Sequence, residues 1–357
     1  MTLDLTAYRK ELFAFMHSPP VAPAEQEAEF NRLALRLYAI QTSNNAIYHR
    51  VAAARGATNP LNWRQLPAIP TATFKDVDVT LLPASARTNV FHSSGTTEQR
   101  PSRHFHSPET LAFYEESLAR AFTNACPEIQ SLDWVFLTPP SGKAPYSSLA
   151  HMFSALANRH PKAEFFGHVT ADGWVLNLPP LIERLRSATL PVFIAGTAFN
   201  FVHLLDALAS IPLSLHLPHG SVALQTGGYK GRSRTLAQED LYAALRTQLG
   251  ITVIRSEYGM SELSSQAYDQ PEIGNDRETI FKFPHWVRTR LAGAGSFTPS
   301  RTPEKPGLLE IIDLANVSSA VAIQTGDLAV EGGSGFTLLG RAEAAEPRGC
   351  SLQSSAL

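Results

Sequence analysis

Short apolar runs alternate with helical segments across the middle of the chain, and this alternation constrains the fold more than any other feature. In chain order they occupy residues 134–137, 149–156, 192–195, 199–209, 222–225, 236–249 and 251–254. Apolar strands separated by helices are typical of a parallel sheet covered on both faces. In such a sheet the loops after the carboxyl ends of the strands hold ligands. We therefore expect an α/β fold in which residues 227–230 and 258–262 share one rim.

The regions on either side of this alternation have different patterns. Residues 1–90 show apolar side chains at helical spacing, although Pro67 and Pro70 predict an extended, non-helical segment over residues 66–75. From about residue 281 the pattern changes to short strands separated by Gly- and Asp-rich turns, which predicts a small antiparallel subdomain.

These patterns predict one large domain with three parts and a tail. The domain covers residues 1–340, with a helical N-terminal part (1–90), an α/β core (91–280) and a β subdomain (281–340). Residues 341–357 form a short polar tail that carries Cys350.

Composition limits the partners and the location. With 30 basic and 32 acidic residues the net charge is -2, so there is no electrostatic reason to expect a nucleic acid or an anionic membrane as partner. No apolar run is long enough to span a bilayer, and the N-terminus lacks the layout of a signal peptide. Two cysteines, Cys126 and Cys350, do not make a disulfide framework. We expect a cytoplasmic protein with reduced thiols.

A cluster of small residues follows the apolar pair Val90-Phe91. It consists of Ser93, Ser94, Gly95, Thr96 and Thr97. Hydroxyls and unobstructed backbone N–H groups around a glycine form the concave set of donors that a phosphate needs. Arg100 and Arg103 add two guanidinium charges. The alternative interpretation is a surface turn, which Ser/Gly/Thr clusters usually form.

A second polar motif, Tyr258-Gly259-Met260-Ser261-Glu262, follows the apolar run at 251–254. Tyr258 could stack on a base, Ser261 could donate to a phosphate, and Glu262 could hold Mg²⁺. An ordinary strand-to-helix turn is the plain alternative. A hydrolase with Ser261 as nucleophile is another, although Leu263 stands where the G-x-S-x-G elbow has its second glycine.

Three further residues are candidates for chemistry. Asp327, in a predicted tight turn Thr325-Gly326-Asp327, offers the bidentate acceptor that a ribose diol needs, and Arg341 could contact the same nucleotide. Cys350 has no apolar periodicity around it and lies two residues from Arg348, which favours an exposed, activated thiol, whereas Cys126 follows an apolar helix face and is expected in the core.

Other common sites have no sequence signal. The twelve histidines show no zinc-binding spacing, and no G-x-x-x-x-G-K-[ST] or G-x-G-x-x-G motif occurs. The absence of the two glycine-rich motifs argues against P-loop NTPases and dinucleotide-binding Rossmann enzymes.

The order of the motifs resembles that of the adenylate-forming superfamily, which includes acyl-CoA synthetases, luciferases and peptide-synthetase adenylation domains. Within it, the chain resembles the LuxE-type acyl-protein synthetases over nearly its whole length. The residues that carry the resemblance are Ile69-Pro70, Phe74-Lys75, Phe91 to Thr97, Pro101-Ser102-Arg103, Gly227 to Gly231, Tyr258 to Glu262, Thr325-Gly326-Asp327, Gly340-Arg341 and Arg348-Gly349-Cys350.

The resemblance implies the N-terminal-domain fold of these enzymes and an ATP- and Mg²⁺-dependent ligase. A carboxylic acid, a fatty acid in the LuxE type, would become an acyl-adenylate, and the acyl group would pass to Cys350 and then to a partner such as an acyl reductase. Ser93 to Thr97 would hold the ATP phosphates, and Gly228 and Tyr258 would hold the adenine. Ser261 would contact the α-phosphate, Glu262 would bind Mg²⁺, and Asp327 and Arg341 would bind the ribose. The neighbouring Tyr229, Gly259 and Met260 complete the implied nucleotide site.

Two departures from the family pattern qualify these expectations. Glu98 stands where the family has a glycine after the second threonine of the phosphate motif. The sequence also stops after Gly340-Arg341, where larger members continue into a lid domain with a catalytic lysine, so we expect the lid to be absent. As a hypothesis, Lys230 supplies the missing cation. A non-catalytic relative that retains the nucleotide pocket is the remaining alternative.

Overall fold

A computed structural model describes residues 4–93, 100–160, 162–171, 173–211, 215–227, 236–269, 279–293, 305–332 and 335–342. These residues fall into two compact units. Unit 1 takes its residues from Met1–Phe91, Arg100–Ala121 and Ser261–Glu346, and unit 2 takes its residues mainly from Phe122–Met260 together with His92–Gln99.

The α-helices are α1 Leu5–His17, α2 Pro23–Asn44, α3 Ala46–Ala54, α4 Thr73–Asp76, α5 Pro108–Ala125, α6 Ser148–Ala157, α7 Leu178–Arg186, α8 Ala198–Ala209 and α9 Gln238–Leu249. The strands are β1 Ile69–Pro70, β2 Asn89–His92, β3 Arg103–His106, β4 Asp133–Phe136, β5 Ala163–Phe165, β6 Gly167–Thr170, β7 Gly173–Leu176, β8 Val192–Thr197, β9 Val222–Thr226, β10 Val253–Tyr258, β11 Ala267–Asp269, β12 Ile280–Lys282, β13 Val287–Gly293, β14 Gly307–Asp313, β15 Ala322–Gly332 and β16 Gly335–Arg341.

Unit 2 is built on a parallel sheet with the strand order β10-β9-β8-β4-β5. The strands β4, β8 and β9 are almost entirely buried, whereas β5 and β10 are partly exposed. Val135, Ile194 and Ala223 pack in one cluster with Phe201 of α8 and Leu245 of α9. The strand–helix alternation read from the sequence is therefore confirmed, with one shift: the last strand begins at Val253, two residues later than expected, and continues to Tyr258.

Unit 1 contains a mainly antiparallel sheet with the order β13-β14-β15-β16-β12-β11. The short strand β1 pairs with β15 in parallel. Buried polar side chains join the N-terminal helices to the far end of the chain: Gln41 of α2 donates to the carbonyl of Asn316 at 2.7 Å and accepts from the N–H of Val321 at 2.7 Å.

Two local expectations are wrong. Residues Thr73–Asp76 overlap the segment expected to be extended, yet they form the one-turn helix α4. Both prolines, at 67 and 70, precede this helix and therefore do not interrupt it, and Phe74 within it is buried. Residues Thr325-Gly326-Asp327, expected as a tight turn, lie inside the strand β15. They form an irregular segment of the strand: Asp327 pairs with Arg341 of β16, whereas the register with β14 shifts between Gln324 and Leu328.

No helix in the described part of the chain is long and apolar enough to cross a membrane.

Candidate functional site

Several predicted site residues lie outside the described ranges: Ser94, Gly95, Thr96, Thr97, Gly228, Tyr229, Lys230 and Cys350. The roles predicted for them remain predictions. Ser93, which directly follows β2, is buried.

In unit 2, polar side chains form a row across the carboxyl ends of three parallel strands. The residues Thr197, Thr226 and Glu257 are register partners on β8, β9 and β10, so they share one face of the sheet. Thr197 caps α8 through a capping box with Asn200, and the hydroxyl of Thr226 donates to a carboxylate oxygen of Glu257. The row lies at the edge where ligands bind in parallel α/β sheets.

Glu257 is the acidic residue of this row. Burial raises its pKa from the ordinary value of 4.5 to about 7, and the hydrogen bond from Thr226 opposes that rise only in part. The bond also links the strand ends that precede two predicted nucleotide-binding segments: Thr226 directly precedes Gly227, and Glu257 directly precedes Tyr258. Gly227 has a φ of 63°, a conformation that L side chains rarely adopt, so the loop after β9 begins with a turn that favours glycine.

In unit 1, the side chains of Ser261 and Glu262 are buried, at 6% and 1% exposure. The hydroxyl of Ser102 donates to Oε1 of Glu262 at 2.8 Å. Nδ1 of His104 lies 2.7 Å from the carbonyl oxygen of Ser261, which requires that this nitrogen carry the proton. Burial lowers the pKa of His104, so its imidazole is neutral at pH 7.

A hydrogen-bonded network holds the backbone that follows Glu262. The amide of Asn316 donates to the carbonyl of Glu262 at 2.9 Å, and its Oδ1 accepts from Ser264 at 2.7 Å. Asp313 accepts from the N–H of Ser264 at 2.9 Å and from the hydroxyl of Ser265 at 2.8 Å. Burial nevertheless raises the pKa of Asp313 to about 6.

The structure brings the two predicted ribose ligands together. Asp327 and Arg341 are cross-strand partners on β15 and β16, and Nε of Arg341 lies 3.1 Å from Oδ1 of Asp327. Both side chains are partly exposed. Arg341 therefore orients the carboxylate that was expected to bind the ribose diol.

One of the two arginines near the phosphate motif has an acidic partner. Nη2 of Arg103 lies 2.8 Å from Asp78, which also pairs with Arg87. Part of the positive charge expected near a phosphate is therefore balanced by protein.

The residues present fit a magnesium ion bound together with phosphates. The described residues contain no cluster of three or more His, Cys, Asp or Glu side chains that could hold a metal by themselves. Mg²⁺ commonly binds through one or two carboxylates, waters and substrate phosphates. Glu262, held in place by Ser102, offers the single carboxylate that this arrangement requires.

The sequence indicated the Tyr258–Glu262 motif but not the residues that support it. Ser102, His104 and His106 alternate along one face of β3 and are all buried, a period-2 polar pattern that could have been recognised. Asn316 and Glu257 gave no such signal. The contact of His104 goes to the main chain of Ser261, so it gives no support to Ser261 as a hydrolytic nucleophile.

Comparison with solved structures identifies a clear similarity of fold. The structure of 2-hydroxyisobutyryl-CoA ligase in an open conformation, in complex with 2-HIB-AMP and CoA, matches with a TM-score of 0.65 at 17% sequence identity. The match covers 92% of this chain and 81% of the ligase. The same ligase in the thioesterification state matches with a TM-score of 0.64 at 16% identity, over 91% of this chain and 72% of the ligase.

No protein-family model and no curated protein matches the sequence. The likeness to the solved ligase is therefore one of fold, and the chain has the α/β fold of an adenylate-forming enzyme domain.

Proposed function

We propose that this chain is an acid–thiol ligase that uses ATP and Mg²⁺ to activate a carboxylic acid as an acyl-adenylate. The observation that carries the proposal is the buried Ser261-Glu262 pair, which follows the parallel strand β10 after two residues and whose carboxylate is fixed by Ser102. It lies in a fold shared with a ligase that has been crystallised with 2-HIB-AMP and CoA.

In the first step, a carboxylate oxygen of the acid attacks the α-phosphorus of ATP and pyrophosphate leaves. Magnesium, when bound, neutralises charge on the phosphates. Ser261 donates to the α-phosphate, and Glu262 holds the metal through its carboxylate. The described residues Tyr258, Gly259 and Met260 line the base together with Gly228 and Tyr229. Asp327, oriented by Arg341, accepts from the ribose diol. This step needs donors and positioning rather than a protein nucleophile.

In the second step, a thiolate attacks the acyl carbonyl, a thioester forms and AMP leaves. We propose Cys350 as that thiol, with a fatty acid as substrate and an acyl reductase or another acyl-acceptor protein as the final partner. The resemblance to the LuxE-type enzymes supports these finer assignments. Ser93, Ser94, Gly95, Thr96 and Thr97 hold the ATP phosphates, and Lys230 supplies a cation for adenylation. We also propose a cytoplasmic location, supported by the presence of only two cysteines.

The test is acid-dependent ATP–pyrophosphate exchange across a panel of fatty, hydroxy and aromatic acids, with intact-mass detection of acylated protein. We expect exchange with at least one acid and one added acyl mass. Cys350→Ser should keep exchange and lose the added mass. Cys126→Ser is the matched control, because Cys126 is buried, and it should retain both properties.

Each alternative gives a different result. ATP binding without exchange for any acid would indicate a non-catalytic relative. Ester cleavage without ATP, lost in Ser261→Ala, would indicate a hydrolase. Equal mass addition to wild type and Cys350→Ser would show that Cys350 is not the acyl acceptor. Thioester formation on added CoA would show that CoA supplies an acceptor thiol. Unchanged exchange in Lys230→Ala would remove the role of Lys230.

A further inference from the structure

The strand β3 has an unusual inward face. Ser102, just before the strand, and His104 and His106 within it point to the same side and are at most 2% exposed, whereas Arg103 and Phe105 on the other side are partly exposed. An inward strand face normally carries apolar side chains, because buried polar groups must find partners to offset their lost hydration. Three consecutive inward polar residues therefore indicate that specific partners hold them there.

The first two residues contact adjacent positions of the same motif. Ser102 donates to the carboxylate of Glu262, and His104 donates to the carbonyl of the preceding Ser261. The ring of His106 packs with those of His104, Phe91 and Tyr114 at centroid distances of 4.6–5.5 Å. Aromatic packing of His106 thus supports the position of the His104 ring.

The motif is held from two directions. On one side, β3 fixes the Ser261 carbonyl and the Glu262 carboxylate. On the other side, Asn316 donates to the Glu262 carbonyl at 2.9 Å and also to the carbonyl of Ala320 at 3.1 Å. With both flanking carbonyls and one carboxylate oxygen engaged, the backbone and the side-chain rotamer of Glu262 are both determined.

We propose that Ser102 and His104 are positioning residues that hold Glu262 in the orientation in which it binds Mg²⁺ together with ATP. This inference rests on the proposed function. Partners that orient a metal-binding carboxylate reduce the conformational entropy that this side chain loses when it binds the metal. Removing such partners commonly lowers metal affinity by about 10- to 100-fold. Neither residue contacts the substrate in this proposal.

The test compares variants in the Mg²⁺ concentration that gives half-maximal pyrophosphate exchange, and in the thermal stabilisation produced by Mg·ATP without acid. Ser102→Ala should raise the half-maximal Mg²⁺ concentration by about 10-fold or more. Ser102→Thr, which keeps the hydroxyl, should recover most of the loss. His104→Leu should behave like Ser102→Ala, and His104→Asn, whose amide can donate to the Ser261 carbonyl, should recover in part.

The matched control is Ser221→Ala. Ser221 is also a buried serine with two hydrogen bonds, from the N–H of Val192 at 3.1 Å and to the carbonyl of Pro218 at 2.7 Å, but it lies directly before the amino end of β9. Its loss should lower stability without moving the Mg²⁺ dependence. The acid KM should stay within about twofold in every variant, because no acid contact is removed.

The outcomes separate the two proposals. An active wild type whose Mg²⁺ dependence is the same in Ser102→Ala overturns the positioning role alone. Equal shifts in Ser102→Ala and Ser221→Ala also overturn it, because they would reflect general destabilisation. A wild type with neither exchange nor stabilisation by Mg·ATP overturns the proposed function and this inference together.

Discussion

Two of the buried carboxyl groups in the described residues, Asp313 and Glu257, differ in the hydrogen bonds that reach them. Asp313 accepts from several donors of the segment after Glu262. Glu257 accepts a hydrogen bond from Thr226, and burial has the largest effect on its pKa. A carboxyl group with fewer donors retains its proton to higher pH, since hydrogen bonds to the charged form are what favour ionisation in a dry site. Glu257 is therefore the residue at which protonation and stability are most closely connected near neutral pH.

This connection gives a prediction for stability. The folded-state pKa of Glu257 is raised from 4.5 to about 7, so the folded chain binds this proton more tightly than the unfolded chain. Its stabilising contribution is fully present below about pH 4.5 and is lost as the pH rises through 7. Glu257→Gln cannot lose a proton, so its stability relative to wild type should increase by about 3 kcal/mol between pH 4.5 and pH 8. Urea unfolding at a series of pH values measures this difference.

Thr226→Val provides the control for this experiment. The hydroxyl of Thr226 favours the ionised form of Glu257, so its removal should extend the pH-dependent window upward. Asp313 also has a raised pKa, but its contribution is common to all three proteins and cancels in the differences. A wild type and a Glu257→Gln variant with parallel pH profiles would show that Glu257 is ionised throughout this range.

At the same scale, the sequence predicted the residues of the motif but not their partners. Tyr258, Ser261 and Glu262 were recognisable because they lie close together in the sequence, soon after the apolar run at 251–254. Ser102 and Asn316 are far from Glu262 along the chain, and a contact between distant segments depends on which strand and which loop the fold places there. Pro101-Ser102-Arg103 is among the residues that carry the family resemblance, but the resemblance assigns no contact to Ser102.

At the scale of elements, the strand β15 shows why local preferences failed in unit 1. Gly326 and Asp327 are typical turn residues, yet β15 continues through them from Ala322 to Gly332. The register between β14 and β15 passes from Gln324 opposite Glu310 to Leu328 opposite Leu308, so the residues between them form an irregular segment on that side, while Asp327 pairs with Arg341 of β16. Within this segment the N–H of Asp327 donates to the hydroxyl of Thr325, and the carbonyl of Gly326 accepts from the N–H of Ala342. The parallel strands of unit 2 were easier to predict because their apolar runs are continuous.

The strand pair β13–β14 contains a buried ion pair that yields a second prediction. Arg290 and Glu310 are cross-strand partners, with Nε of Arg290 2.6 Å from Oε2 of Glu310. Arg290 also donates to the carbonyls of Arg64 and Leu66, so it joins the strand to the segment before β1. Arg290→Met should reduce the free energy of unfolding by about 3–5 kcal/mol, because it leaves a buried carboxylate without its cation. Urea denaturation measures the loss.

Two further variants test whether the loss comes from the unpaired buried charge. Arg290→Met combined with Glu310→Leu should recover much of the stability, since no unpaired charge is then buried. Arg186→Met is the surface control: Arg186 pairs with Glu183 at 3.7 Å and is about half exposed, so its loss should cost less than about 1 kcal/mol. An equal cost for Arg290→Met and Arg186→Met would show that the buried pair is not needed for stability.

At the scale of the whole molecule, unit 1 is discontinuous in sequence and the core of unit 2 is continuous. Residues near the N-terminus find their partners about 240 to 310 positions later. Tyr8 donates to the carbonyl of Leu314, and the N–H of Thr71 donates to the carbonyl of Gln324. Periodicity identifies which segments are helical or extended, but it carries no information on pairing over such separations.

The continuity of unit 2 predicts how fragments of the chain behave. Residues 122–260 contain all five strands of the parallel sheet and the cluster of Val135, Ile194, Ala223, Phe201 and Leu245. Residues 1–121 lack the strand β15, with which β1 pairs, and the carbonyls of Leu314 and Asn316, to which Tyr8 of α1 and Gln41 of α2 donate. We expect fragment 122–260 to unfold cooperatively in urea, and fragment 1–121 to show no cooperative transition, because its buried polar groups would be left without partners.

Mixing the fragments strengthens this test, because the missing pairing can be restored in trans. Adding fragment 261–357 to fragment 1–121 should produce a cooperative transition and new near-ultraviolet circular dichroism from Trp63 and Trp286, both buried in the intact chain. Arg290→Met in the added fragment should weaken this recovery, since Arg290 donates to the carbonyls of residues 64 and 66 in the other fragment. Cooperative unfolding of fragment 1–121 alone would contradict the prediction, as would the same recovery with and without Arg290, because neither result requires the long-range hydrogen bonds that define unit 1.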